Sequence, residues 1–168
     1  MTSPAATHGS FTIDRHLDAK PARVFAAFAD IEAKNRWFIG PPGWELTERT
    51  LDFREGGLET LIGRWPDGKS SKFRARYEEI VPGQRMVYSY HMHIDHWHIS
   101  ISLATFEITA DGDGTRLTFT EHATFINGFE DHNAEGRKSG TMGLLDRLEA
   151  SFKIEQSPNT LDSLRHCS

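Results

Sequence analysis

From Trp44 to Phe125 apolar and polar residues alternate with a period of two, and turn residues cut the pattern into short runs. The breaks are Glu55-Gly56-Gly57, Asp67-Gly68, Pro82-Gly83 and Asp111-Gly112-Asp113-Gly114. Period-two runs present one apolar face each, so they must pair into an antiparallel sheet with one wet side. The clearest cases are Phe73, Ala75 and Tyr77 between Lys72, Arg74 and Arg76, and Leu117, Phe119 and Glu121 between Arg116, Thr118 and Thr120. Six strands fit this stretch.

Such a sheet needs a cover, and the chain offers one long helical pattern, expected from Glu135 to Glu155. Leu145, Leu148 and Phe152 recur at i, i+3 and i+7, with Met142 a turn earlier and Asp146, Arg147 and Glu149 opposite. Gly140 and Gly143 remove side chains where this helix should cross the sheet, which predicts a space between the two layers. Ahead of the sheet, Ser10 to Leu17 reads as a first strand and Pro21 opens a helix that buries Val24, Phe25 and Phe28. Asp30 caps a second short helix that ends near Trp37-Phe38, before the turn at Gly40-Pro41-Pro42-Gly43. The expected fold class is α+β: a curved antiparallel sheet of about six or seven strands on a long C-terminal helix, with two short helices after strand one. One domain is expected over residues 10–155, between flexible tails at 1–9 and 156–168.

Charge and cysteine usage narrow the partners. A net charge of −5 and a pI near 6.0 argue against nucleic acid and anionic membranes, both of which favour a basic face. No run reaches the roughly 18 apolar residues of a membrane helix, so membrane insertion is not expected. Met1 to Gly9 has neither a basic start nor an apolar stretch, so a cytoplasmic address is the expectation. The one cysteine, Cys167, excludes an internal disulfide framework and a cysteine-based zinc knuckle. No dinucleotide fingerprint, phosphate-cradling loop or Gly-x-Ser-x-Gly elbow occurs, and no cofactor is expected.

Six segments in order carry a family resemblance: Ala19–Phe28, Arg36–Phe38, Leu51–Gly57, Tyr77–Arg85, Gly114–Glu121 and Gly140–Leu148. Through them the chain resembles the START-like, Bet v 1-like (SRPBCC) superfamily, and within it the family named for the activator of the heat-shock protein 90 ATPase. The resemblance implies a helix-grip fold from about Phe11 to Phe152. It leaves activity open, because this fold serves lipid carriers, hormone receptors, polyketide cyclases and co-chaperones.

The expected site is an apolar cavity lined by Trp37, Phe38, Trp65, Phe73, Tyr88, Tyr90, Met92, Phe119, Phe125, Met142 and Leu145. The alternative reading of so many large rings is simple core packing, and the helix-grip resemblance favours the cavity. Glu121 shares the inward phase of Leu117 and Phe119, so burial should raise its pKa and make it a candidate acid or base. If it is structural instead, its expected partner is one of the arginines, for instance Arg54 or Arg64. His91, His93, His96 and His98 raise the question of a metal, since His-x-His puts two rings on one strand face. Met86, Tyr88, Tyr90 and Met92 form the bulkier face of that strand, which places His91 and His93 outside, and no metal is assigned. The helix-grip resemblance implies that the polar stretch from Phe125 to Glu135 lies at the cavity mouth, either as a gate or as a solvated connector with Asp131 or Asn133 as helix cap.

Three functions fit these residues. The first is binding or carriage of a small hydrophobic molecule without catalysis. The second is a polyketide cyclase-like enzyme using Glu121 or a histidine for proton transfer. The third is a co-chaperone or interaction module, which predicts an exposed apolar or charged patch on the outer sheet face. A homodimer and a chaperone partner stay open.

Overall fold

The structure is a computed structural model that describes residues 2–128 and 132–154, the side chain of Ile154 excepted. The expected C-terminal tail, Cys167 and Asp131 lie outside the described residues. The chain runs β1 (Thr7–Leu17), α1 (Pro21–Ala29), α2 (Ile31–Lys34), β2 (Glu45–Leu51), β3 (Leu58–Arg64), β4 (Ser70–Val81), β5 (Arg85–Ile94), β6 (Trp97–Asp111), β7 (Gly114–Phe125) and α3 (Ala134–Ile154). The strands form one sheet in the order β1-β7-β6-β5-β4-β3-β2. Every neighbouring pair is antiparallel. The period-two stretch is thus a six-strand meander, and the alternation that set its phase also sets which side faces α3. The result is an α+β helix-grip.

The expected elements all form, with three shifts at their ends. β1 starts at Thr7 rather than Ser10, because β7 extends to Phe125 and Thr7 pairs with it across the ladder. That extension lies in exposed Thr7 and His8, where no apolar alternation marks a strand. α2 is a single turn that ends at Lys34 rather than near Phe38, although the Phe38 amide still donates to the Lys34 carbonyl at 2.9 Å. α3 begins at Ala134, capped by Asn133, whose Oδ1 accepts from the Gly136 amide at 2.9 Å.

The core lies between the concave side of the sheet and the helices. Phe28 and Trp37 pack edge to face at 4.9 Å, and Phe28 meets Phe106 at 4.7 Å. Leu145, Leu148 and Phe152 of α3 are buried in the same cluster. The inward face of α3 runs through Thr141, Leu145, Leu148 and Phe152, spaced i, i+4, i+7 and i+11. Met142 falls to the flank of that stripe and is 42% exposed.

Candidate functional site

Between α3 and the sheet the side chains leave a cavity of about 360 Å3. Of the residues expected there, Trp37, Phe38, Trp65, Phe73 and Tyr88 line it, as do Tyr90, Met92, Phe119, Glu121 and Leu145. Two do not. Phe125 is buried but lies under the Arg137 guanidinium, 5.2 Å from its ring centre, which screens it from the space. Met142 points outward for the helical-phase reason given above. Gly140 borders the cavity on the exposed side of α3, and a Cβ added to it would meet nothing within 4 Å.

One wall carries a buried polar network centred on Glu121, which is 1% exposed. Its partner is Arg137 of α3, at 3.2 Å, not Arg54 or Arg64. Arg54 pairs with Asp52 at the surface, and Arg64 is exposed. Tyr90 donates to Glu121 Oε1 at 2.8 Å and Ser102 donates to Oε2 at 3.0 Å. Arg137 also donates to the Tyr90 hydroxyl at 2.6 Å and to Ser100 Oγ at 2.7 Å. Burial pushes the Glu121 carboxyl above its ordinary range, and the Arg137 charge and the donated hydrogen bonds only partly offset that. Burial likewise raises the Tyr90 phenol.

A second network is centred on Glu59 of β3, four strands along the sheet from β7, and the sequence reading missed it. Lys34 Nζ lies 2.7 Å from Glu59 Oε1 and 2.8 Å from Oε2, with side chains 5% and 1% exposed. Tyr77 donates to Glu59 at 2.8 Å and accepts from Lys34 at 3.2 Å. Burial lowers the Lys34 pKa, and the Glu59 charge opposes that shift. Arg49 closes the cluster by donating to the Phe38 carbonyl, while its Nε and Nη1 are buried without a hydrogen-bond partner. The signal for Glu59 was available: it shares the inward phase of Leu61, as Glu121 shares that of Phe119. Lys34 precedes Trp37 and Phe38 by three and four residues, the spacing of one helical face.

Trp44 was missed as well. Its ring fills a slot left by two glycines: a Cβ on Gly63 would lie 1.8 Å from it, and one on Gly40 would lie 2.3 Å away. Its Nε1 donates to Ser71 Oγ at 2.9 Å at the cavity wall. Across the rim, Arg147 of α3 donates to the carbonyls of Trp37 at 3.3 Å and Ile39 at 2.8 Å.

Residues 18–153 of the chain match the family described as Activator of Hsp90 ATPase homolog 1-like protein. The chain belongs to that family. The match covers every element from α1 to the last turns of α3, so the cavity and both networks lie within the family's domain. An uncharacterized protein from Rhizobium leguminosarum is 38% identical over 89% of this chain and 97% of its own, with a TM-score of 0.84. The Mll3558 protein of Rhizobium loti is 42% identical over 88% of this chain and 99% of its own, with a TM-score of 0.80. An AHSA1-like protein from Aeromonas hydrophila, at 17% identity, shares the fold over 95% of this chain and 98% of its own, with a TM-score of 0.66. No curated protein matches the chain.

In this member of the Hsp90-activator-like family the histidines gather on the other side of the sheet. β5 and β6 join through a two-residue turn at Asp95-His96, with Asp95 at a φ of 52°. His91 Nδ1 comes within 3.0 Å of His98 Nε2, and the rings of His93 and His98 stack at 4.4 Å. Burial lowers the pKa of both His93 and His98, and the neighbouring positive groups add to it. Among the described residues no three His, Cys, Asp or Glu side chains gather as a metal site. At the mouth of the cavity His132 lines the opening just ahead of α3.

Proposed function

We propose that this domain binds one small, largely apolar molecule in the cavity between α3 and the sheet. The observation that carries this reading is a space of about 360 Å3, walled mainly by aromatic rings, that the protein's own side chains do not fill. That volume falls within the range of small-ligand sites, and interiors otherwise pack at crystal density. Burying some 200 Å2 of ligand surface would contribute on the order of 5 kcal/mol before association costs.

The arrangement around Glu121 favours binding over proton transfer. Its two oxygens already accept from Tyr90, Ser102 and Arg137, which holds the carboxylate in a structural role. The interaction-module reading has less support. Among the described residues β6 exposes the large apolar side chains Trp97, Ile101 and Leu103, at 48%, 40% and 44%, but Ile99 between the first two is 1% exposed, so the row is interrupted. Three such side chains fall short of the several hundred Å2 that mark an apolar docking face.

Native mass spectrometry of freshly purified protein tests the proposal, with tryptophan fluorescence as the second readout because Trp37, Trp44 and Trp65 line the cavity. Retained small-molecule mass, or saturable quenching by naphthalene-sized probes that Trp37→Ala weakens, supports it. Protein that carries no such mass and shows no saturable probe binding overturns it.

A further inference from the structure

Tyr88 lines the cavity and is 8% exposed, with its ring packed 5.9 Å from Tyr90 and 6.2 Å from Phe106. Its hydroxyl nevertheless makes no hydrogen bond with any described residue. The nearby carboxylates are engaged already. Glu121 accepts from Tyr90, Ser102 and Arg137, and Glu59 from Lys34 and Tyr77. The ring is buried while the hydroxyl opens on the cavity, so its acceptor has to come from whatever occupies that space, and a donor closed in there without one is strongly disfavoured. Water can serve while the cavity is wet, and an incoming molecule that displaces it has to replace the bond.

The chemistry of that molecule follows from the surrounding charges. Glu121 is matched by Arg137 and Glu59 by Lys34, and Arg49, whose Nε and Nη1 lack partners, does not line the cavity. Arg147 directs Nε and Nη2 at backbone carbonyls. The cation whose charge reaches Tyr88 is Arg137, already paired with Glu121, so an acidic group there would be buried without a partner of its own, which is costly. A neutral acceptor oxygen carries no such penalty.

We propose that Tyr88 is the polar anchor of the cavity, and that the ligand is a neutral aromatic or polycyclic molecule with a carbonyl oxygen at its buried end. This rests on the ligand-binding reading above and adds the anchor and the ligand class. The rings of Trp37, Phe38, Phe73, Phe106 and Phe119 supply the matching apolar walls.

A matched pair of probes isolates the oxygen: 2-acetylnaphthalene and 2-ethylnaphthalene, titrated against intact wild type and Tyr88→Phe by tryptophan fluorescence, with 2-naphthoate as the acidic comparator. Tyr88→Phe should weaken the acetyl probe about tenfold, the scale of one good hydrogen bond, and leave the ethyl probe unchanged or tighter. In wild type the carbonyl stretch of the bound acetyl probe should move to lower wavenumber, a readout that needs no variant. Equal effects of the substitution on both neutral probes, an unshifted carbonyl stretch, or tightest binding by 2-naphthoate would each overturn the anchor while sparing the cavity. Failure of all three probes to bind wild type would remove the ligand-binding reading and the anchor together.

Discussion

The two buried ion clusters use the same groups, a carboxylate, a cation and a tyrosine, yet differ in what holds the cation. Lys34 and Glu59 are 5% and 1% exposed and join α2 to the sheet at β3. Arg137 is 14% exposed and reaches Glu121 on β7 from the second turn of α3, at the side of the cavity where the wall opens. A sealed pair has no recourse to water if broken, whereas a pair beside an opening does. The first cluster therefore ties α2 to the sheet out of reach of water, and the second ties α3 to it beside the opening.

Breaking the sealed pair should show the largest effect. Glu59→Ala strands the Lys34 ammonium and should cost about 3–5 kcal/mol in urea unfolding. Arg137→Met breaks the other pair and should cost less, on the order of 2 kcal/mol, because water can enter from the mouth and Glu121 can take up a proton. If Arg137→Met proves the more damaging, the comparison is the wrong way round.

Acidity sharpens the same contrast. Glu121 has a folded pKa above its unfolded one, so between those two values the native state holds more protons. Its contribution is then most favourable at and below the unfolded carboxylate pKa, near 4.5, and is lost as pH rises through the folded pKa. Glu121→Gln should remove that slope, read as the difference in unfolding free energy between variant and wild type across pH 4 to 8. A slope unchanged by the substitution would mean that Glu121 is ionised as readily folded as unfolded. The smallest expected effect is at Gly140, where a methyl group meets nothing within 4 Å. Gly140→Ala should raise stability by up to about 1 kcal/mol through helix propensity, with no change in the unfolding of either cluster.

Those positions also show where sequence reading succeeds and stops. Strand phase is a property of consecutive residues, so Phe73, Tyr88, Phe119 and the inward Glu121 were legible from alternation alone. The same rule covers Glu59, which went unread because β3 is short and its alternation slight. The partner of Glu121 was not legible in this way. Arg137 lies 16 residues on, past a loop, and only the cap at Asn133 and the rotation of α3 turn it toward the sheet. Rotation also explains Met142, since a misphasing of one residue on a helix swings a side chain by about 100° and out of the cavity. Trp44 depended on empty space beside Gly40 and Gly63, and absent side chains signal a slot only once the ring that fills it is placed.

Arg147 grips its neighbours by main-chain oxygens of Trp37 and Ile39 instead of by an acid. Such a clasp has no proton to gain at mild acidity, and contacts this short are little weakened by dissolved salt. The gap between the helix and the segment at Trp37 should therefore keep its width in brine and in weak acid alike, even while Glu121 on the far wall changes its charge.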